Sequence, residues 1–339
     1  MEAGRAPFGP SSAQASPRYV LGFDGGGSKA ELVLLDDTGA VCGRGIGGPA
    51  VALYEAAEAV RASIAEAVAG ALRRGAVPVE ALVASAPAGI DEAIRALVEQ
   101  TRPAQWRKVA EWDAILAASR LEYGLVVLAG TGSGVFARNR EGTAVHMGGS
   151  GPVIGDEGSA YDIGVRGLRA CVRADYSQAR STSLRAAVLA EVGVTAPHEL
   201  IDWVYARPAS RRDIAALARV VDREAQAGDA VACGILANAA AALADLALEA
   251  LAVASMLDEP YAMVPAGSVA TRSRGFRQAL ADRVYQAAPL IEPKPPGLSP
   301  AVGAGLLALR DLGVPWTDSL YARARETAAG FEEPPPNNL

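Results

Sequence analysis

The chain has 339 residues, with 32 Lys and Arg against 38 Asp and Glu, so its formal net charge is −6. This length implies two domains, and a composition that is 50% hydrophobic supplies a core for each and excludes disorder across most of the chain. A mildly acidic protein gains nothing from counterion release, so we expect neither nucleic acid nor a membrane as its partner.

Cysteine usage and the apolar segments indicate a protein of the reducing cytoplasm. Cys42, Cys171 and Cys233 are far apart and form no CxxC pair, which predicts free thiols rather than a zinc site or an iron–sulfur cluster. Residues 1–17 lack the apolar core of a signal sequence and are predicted to form a disordered arm. The uncharged stretch Ala230–Ala244 is shorter than the ~20 residues that span a bilayer, so it predicts a buried helix.

In chain order, the first elements predict a mainly parallel α/β sheet that begins with a three-stranded meander. Its first connection is rich in glycine, and strands then alternate with helices. The predicted strands are Tyr19–Phe23, Glu31–Leu35, Val41–Ile46, Ala81–Ser85 and Lys108–Glu111, and the predicted helices are 56–68 and Asp91–Thr101.

The meander then recurs, with strands at Gly124–Ala129, Val135–Ala137 and Thr143–Met147. Aligning Ser28 with Ser133 matches both units in the order strand, glycine turn, strand, turn, strand, which indicates an internal duplication. Two unrelated hairpins are the alternative. A mainly helical segment follows from 161 to about 256, then a strand at 261–265, a helix at 300–310 and a disordered tail at 330–339.

The connection Asp24-Gly25-Gly26-Gly27-Ser28-Lys29 lies between two strands. Glycine amides can approach phosphate oxygens where a Cβ would obstruct them, although a tight hairpin turn would use the same residues. It is not a Walker A loop, because the GxxxxGK[ST] spacing is absent and a strand follows. The second turn, Gly130-Thr131-Gly132-Ser133, favours two loops that hold a polyphosphate from both sides, with Asp24 placed to hold a hydrated magnesium ion.

Two further segments carry carboxylates at positions where ligands bind. Asp113 follows the predicted strand 108–111 and opens a predicted helix at 114–119, so it is either a helix N-cap or a general base at the carboxyl end of a strand. Asp156 and Glu157 lie between Gly155 and Gly158, where they either cap a helix or meet a ligand. The two histidines have no acidic or cysteine neighbours at ligand spacing, and we assign them no role.

The motifs DGGGSK (24–29), GTGS (130–133), GDEGSA (155–160), AGS (266–268) and PAVGA (300–304) occur in this order. The set resembles the BadF/BadG/BcrA/BcrD ATPase family, and within it the N-acetylglucosamine kinases, over residues 18–312. The resemblance implies an α/β fold of two duplicated actin-like (ribonuclease H-like) ATPase domains with a cleft between them. The N-terminal domain would span 18–121 and be completed by a helix at 300–315, and the C-terminal domain would span 122–299.

The resemblance also implies ATP and Mg²⁺ as cofactors, and it assigns roles to individual residues. Asp24 would hold the metal, Asp113 would take the proton from the sugar hydroxyl, and Asp156 would hold the sugar. The phosphate residues would be Gly25, Gly26, Gly27, Ser28, Lys29, Gly130, Thr131, Gly132 and Ser133, the adenosine residues Gly267 and Ser268, and the acceptor residues Asp113, Gly149, Ser150 and Asp156.

The chain departs from the amino-sugar kinases at two positions on the expected acceptor side. Ser150 stands where they often have Trp, and Val51 where they have Asn. The expected function is an ATP-dependent kinase that phosphorylates a hydroxyl of a small-molecule amino sugar, N-acetylglucosamine or glucosamine. The alternative is an ATPase that drives a partner protein, as the reductase activators of the family do, but those use paired cysteines. A homodimer is compatible with either function.

Overall fold

The computed structural model describes residues 17–52, 55–86, 90–176, 181–206 and 210–331. The predicted N-terminal arm, apart from residue 17, and the tail from residue 332 onward lie outside the described residues. Residues 330 and 331, which we predicted as tail, belong instead to a 3₁₀ turn at Ala329–Phe331. The Arg44 guanidinium donates to the carbonyl oxygen of Phe331 at 2.8 Å and so attaches this turn to the first sheet.

The described elements follow the predicted order. The first half comprises β1 (Tyr19–Gly25), β2 (Ala30–Asp36), β3 (Val41–Gly47), α1 (Ala57–Ala71), β4 (Val79–Ser85), α2 (Asp91–Thr101), β5 (Gln105–Val109) and α3 (Glu111–Ala118). The second half opens with β6 (Gly124–Ala129), β7 (Ser133–Arg138), β8 (Ala144–Gly148), α4 (Ala160–Tyr176), α5 (Leu184–Val192) and α6 (Glu199–Ile201), which runs into a π-helical turn at Asp202–Ala206. It continues with α7 (Arg211–Ala216), α8 (Ala218–Gln226), α9 (Ala230–Val253), β9 (Tyr261–Ala266), α10 (Gly267–Arg272), α11 (Arg274–Ala287), β10 (Ile291–Pro293), α12 (Pro300–Asp311) and α13 (Asp318–Ala328).

Two five-stranded sheets have the same topology, which confirms the duplication. The first has the order β3-β2-β1-β4-β5 and the second β8-β7-β6-β9-β10. In each sheet the first three strands form an antiparallel meander, and the last two are parallel to the first strand. The carboxyl ends of the central strands therefore meet at the glycine turn in each half.

The prediction of a strand at 108–111 was wrong at both ends, since β5 runs from Gln105 to Val109 and α3 begins at Glu111. β5 is an edge strand whose first four residues are exposed, so it lacks the alternation of buried and exposed residues that marks a strand in a sequence. This shift places Glu111, rather than Asp113, at the start of the helix.

Helix α9 is longer than the uncharged stretch that predicted it. Asp245 and Glu249 continue the helix to Val253, so its 24 residues are long and apolar enough to cross a membrane by length and composition alone. Ten of its residues are buried in the core of the second half, where it packs against α8, α11 and β7. One face of the helix is therefore buried against other elements of the protein.

Helix α12 returns from the end of the chain to the first sheet. A Cβ on Gly22 of β1 would lie 2.1 Å from the carbonyl oxygen of Ala301, so the helix backbone packs directly on the strand. The buried side chains of α12 share one core cluster with Val20 and Val83. This packing attaches the C-terminal helix to the sheet that carries the first glycine turn.

The glycines of β3 allow α1 to pack directly on the sheet. Added Cβ atoms would lie 1.8–1.9 Å from helix carbonyl oxygens at Gly43, Gly45 and Gly47. We expect Gly45→Ala to destabilise the protein by at least about 2 kcal/mol, because the helix must move away from the strand. Gly234→Ala in α9, where a Cβ has open space, is the control and should be neutral or stabilising by up to about 1 kcal/mol. Thermal unfolding of both variants checks this, and equal Tm values would contradict it.

Candidate functional site

Asp24 lies at the carboxyl end of β1, directly beside Ser85 at the end of β4. The Ser85 hydroxyl donates to Asp24 Oδ1 at 3.2 Å. Burial and the nearby charge of Glu31 raise the pKa of Asp24 to about 6, although Lys29 lowers it. A carboxylate with this pKa gains stability when a cation binds beside it.

The first glycine turn is closed by backbone hydrogen bonds. Gly26 N donates to the Lys29 carbonyl at 3.0 Å, and Ala50 N donates to the Gly26 carbonyl at 3.1 Å. The Lys29 ammonium is in an ion pair with the buried Glu31 at 2.7 Å. The conformation of the turn is therefore stabilised by a hydrogen bond within it and by one from Ala50, and Glu31 partly neutralises the charge of Lys29.

The second glycine turn is held by the two motifs that follow it in the sequence. Ser133 Oγ donates to the Glu157 carbonyl at 2.7 Å, and Ser133 N lies 3.3 Å from Asp156 Oδ1. Gly267 has a φ of +80°, and a Cβ there would lie 2.5 Å from the carbonyl of Ala129. The GDEGSA and AGS segments thus pack directly on the GTGS turn.

Asp156 and Arg211 form a buried ion pair between the two glycine turns. Asp156 is only 3% exposed and has a φ of +59°, which is unusual for a residue with a side chain. Its Oδ2 accepts a hydrogen bond from Arg211 Nη2. A Cβ on Gly132 would lie 2.7 Å from Arg211 Nη2, and one on Gly27 would lie 3.7 Å from Arg211 Nη1. The guanidinium therefore reaches both turns.

Glu111, the first residue of α3, is partly buried and faces the same region. Burial and, to a smaller extent, the charges of Asp24 and Asp156 raise its pKa to about 7. The three carboxylates therefore share one small region where the carboxyl ends of β1 and β5 meet the second glycine turn. Sequence analysis missed Glu111 because it was assigned to the end of a strand.

Asp113 does not join this group. The charges that act on Glu111 are those of Asp24 and Asp156, and Asp113 is not among them. Asp113 Oδ1 accepts a hydrogen bond from Arg138 Nη2 at 2.7 Å. The N-cap interpretation of Asp113 was wrong, because the cap is Ala110, which makes no side-chain hydrogen bond.

Two cavities open on either side of the second glycine turn. The Glu111 cavity has a volume of about 750 Å³, and the Ser28 cavity has a volume of about 440 Å³. Residues that line the Glu111 cavity include Glu111, Trp112, Asp113, Ser133, Phe136, His146 and Gly149. Those lining the Ser28 cavity include Ser28, Thr131, Arg219, Asp222, Ser268 and Arg272. Because Thr131 and Ser133 line different cavities, Gly132 lies at their junction.

Aromatic rings form one wall of the Glu111 cavity. Trp112 stacks on Phe136 with ring centroids 4.6 Å apart, and His146 lies 4.5 Å from Trp112 on a tilted plane. Burial lowers the pKa of His146, so its ring is neutral near pH 7. No sequence pattern connects Trp112 with His146. They meet because Trp112 of α3 stacks on Phe136, whose neighbour across β7 and β8 is His146.

The two positions where the chain departs from the amino-sugar kinases have different surroundings. Val51 is buried, one residue after the Ala50 amide that holds the first glycine turn. Ser150 is exposed next to Gly149, and a Cβ on Gly155 would lie 2.9 Å from Ser150 Cβ. Only the Ser150 segment borders the Glu111 cavity, through Gly149.

The side chains near the glycine turns offer few ligands for a metal ion. Within the described ranges, no group of three or more His, Cys, Asp or Glu side chains is arranged to hold an ion. A single carboxylate with a raised pKa, such as Asp24, fits an ion whose other ligands are phosphates and water, which is how Mg²⁺ is usually bound.

The two sheets of equal topology and the two glycine turns facing one cleft define an ATPase of the actin-like fold. The chain belongs to the BadF/BadG/BcrA/BcrD ATPase family, whose model matches residues 21–308. It is 29% identical over 261 residues to the N-acetylmuramic acid/N-acetylglucosamine kinase of Clostridium acetobutylicum, covering 74% of this chain and 85% of that protein.

Solved structures share the fold. A protein of Chromobacterium violaceum, provisionally assigned as an N-acetylglucosamine kinase, superposes with a TM-score of 0.66 at 24% identity, covering 86% of this chain and 99% of that one. A ROK family glucokinase of Streptomyces griseus in complex with glucose and AMPPNP superposes with a TM-score of 0.57 at 18% identity, with the same coverage. These matches confirm the predicted fold class.

Proposed function

We propose that the protein is an ATP-dependent sugar kinase that transfers the γ-phosphoryl group to a hydroxyl of an amino sugar, N-acetylglucosamine or a derivative of it. The observation that carries this proposal is the meeting of two cavities at Gly132, beside three carboxylates. Phosphoryl transfer needs the attacking oxygen of the acceptor and the leaving oxygen of the donor roughly in line across the transferred phosphorus, and two cavities that meet at one turn allow this. The named activity of the Clostridium relative supports the sugar class.

The Ser28 cavity suits the nucleotide. It joins residues of the first turn, the second turn and the AGS segment, and its lining includes Arg212, Arg219 and Arg272. In this proposal the amides of Gly25–Lys29 and Gly130–Ser133 bind phosphate oxygens, while Gly267 and Ser268 contact the adenosine. Asp24 would hold Mg²⁺, which supplies neutralisation of phosphate charge.

We assign the general base to Glu111 in place of Asp113. Both carboxylates line the acceptor cavity, but Asp113 is paired with Arg138, whereas Glu111 lies among the charges of Asp24 and Asp156. The acceptor hydroxyl gives its proton to a Glu111 oxygen while its own oxygen forms the new bond to the γ-phosphorus. The bond between that phosphorus and the β-phosphate oxygen breaks, which releases ADP and a sugar phosphate. Asp156, with Gly149 and Ser150, would position the sugar.

The Glu111 cavity suits a sugar that carries substituents. The Trp112 and His146 rings offer an apolar surface for one face of a pyranose, and the volume of about 750 Å³ exceeds that of an unsubstituted hexose. Arg107 and Lys108 also line this cavity, each half-exposed and paired with a carboxylate outside it. These cations favour an acidic amino sugar, and the Clostridium relative is named for one.

The test is an ATP-coupled assay of the purified protein with glucose, glucosamine, N-acetylglucosamine and N-acetylmuramic acid. We expect the highest kcat/KM for one of the two N-acetylated sugars, with a phosphorylated product identified by mass spectrometry. ATP hydrolysis that no sugar stimulates would overturn the proposal and favour an ATPase that drives a partner protein. The cysteines do not favour that alternative, because Cys171 is buried and Cys42 half-buried, which leaves Cys233 as the exposed thiol. A cytoplasmic location and a homodimer stay predictions.

A further inference from the structure

We infer that Arg211 binds the terminal phosphate of the nucleotide and acts as a catalytic residue, an inference that deepens the proposed function and rests on its nucleotide site. No sequence motif marks this arginine. It lies far along the chain from both glycine turns, yet its guanidinium lies beside Gly27 and Gly132 of those turns.

The position of the guanidinium is the first argument. Its Nη2 lies 2.7 Å from the point that a Cβ on Gly132 would occupy, and its Nη1 lies 3.7 Å from the corresponding point at Gly27. Those two glycines belong to different halves of the molecule. Arg211 is therefore a cation that spans both turns at the junction of the two cavities.

The second argument is the set of hydrogen bonds that Asp156, the present partner of Arg211, accepts. The Asp156 carboxylate accepts hydrogen bonds from Arg211 Nη2 and, at 3.3 Å, from the amide of Ser133. A planar anion held by a guanidinium and a backbone amide of the second turn has the same partners that a phosphate would need. The terminal phosphate would take over Arg211 as Asp156 turns to the acceptor sugar.

The third argument concerns the negative charge of the site and the rigidity of the helix that carries Arg211. Asp24, Glu111 and Asp156 would repel a nucleotide polyphosphate, so the site needs cations there in addition to any metal. Helix α7 sets the backbone of Arg211: Ser210 and Asp213 form a capping box, and a Cβ on Gly164 of α4 would lie 2.0 Å from the carbonyl of Ile214. An arginine presented by a packed helix loses little entropy when it binds phosphate.

The experiment compares nucleotide affinities without sugar, so that it does not depend on the acceptor. We expect Arg211→Gln to weaken ATP binding by about 10- to 100-fold, the range for loss of charge-assisted hydrogen bonds, and AMP binding by less than about twofold. Arg211→Lys should recover part of the ATP affinity. The matched control is Arg166→Gln, which removes an arginine paired with Asp162 on α4 and should leave both affinities unchanged.

A double variant separates phosphate binding from simple neutralisation of Asp156. If Arg211 only balances that carboxylate, Arg211→Gln with Asp156→Asn should restore ATP affinity, and this restoration would overturn the inference. Equal losses for ATP and AMP in Arg211→Gln would overturn it as well. Failure of the sugar screen with a selective loss of ATP affinity would refute the sugar acceptor while supporting the role of Arg211.

Discussion

Glu111→Gln should remove phosphoryl transfer while making the folded protein more stable at pH 8. The amide cannot accept the hydroxyl proton, and loss of a general base typically lowers the rate by ~10²–10⁴-fold. Asp113→Asn is the matched control, since it removes the other carboxylate of α3 that lines the cavity, the one that is paired with Arg138. We expect that control to keep most of the wild-type kcat, measured with the preferred sugar.

The gain in stability follows from the raised pKa of Glu111. In the folded protein this pKa is about 7, against 4.5 for an unperturbed carboxyl, so the folded state binds more protons than the unfolded state between these values. Stability therefore falls as the pH rises from 4.5 through 7, and above pH 7 the buried charge costs on the order of 1–3 kcal/mol. Glutamine carries no charge, so the Tm of the Glu111→Gln variant should exceed that of the wild type at pH 8 and approach the wild-type Tm at pH 5.

The same pKa predicts a pH profile. Glu111 must be deprotonated to accept a proton, so kcat/KM should decrease as the pH falls through about 7, because this parameter reports the free enzyme. The groups whose charges act on Glu111 are Asp24 and Asp156. Two results together would contradict the choice of Glu111 and identify Asp113 as the base. The first is an Asp113→Asn variant as inactive as Glu111→Gln, and the second is an unchanged Tm of Glu111→Gln at pH 8.

Gly132→Val should prevent ATP binding without unfolding the protein. Even the Cβ would lie 2.7 Å from Arg211 Nη2 and 3.0 Å from Asp156 Oδ2, and the added methyl groups would fill the space that the phosphates need. We expect ATP affinity to fall by at least about 100-fold, since several charge-assisted hydrogen bonds are lost together. Calorimetry with ATP measures this loss.

The control is Gly134→Ala, two residues further along β7. Its added Cβ would lie 3.4 Å from His146 Nε2 and would narrow the Glu111 cavity instead. That variant should raise the KM for the sugar and leave ATP affinity unchanged. If a folded Gly132→Val protein bound ATP normally, the GTGS turn would be an ordinary hairpin connection rather than a phosphate loop.

The sequence by itself determined the order of the elements, the duplication and the motifs of the two glycine turns. These features depend on local physics. Strands such as β1 and β6 are short apolar runs that end at glycine. A turn that binds phosphate needs glycine at the point of closest approach, because a side chain would obstruct the phosphate in any fold. The equal order of the first three strands in each sheet was implicit in the repeated meander, whereas β10 was not predicted.

Only the tertiary structure showed that Glu111 lies near Asp24 and Asp156, and which cation reaches the cleft. The exposed edge strand β5 ends two residues before its predicted end, so Glu111 begins α3 and lines the cavity together with Asp113. Arg211 reaches Gly27 and Gly132 only because α7 packs on α4 and brings its first residue to the cleft. Contacts between residues so distant in sequence leave no local pattern, since they arise from the packing of whole elements.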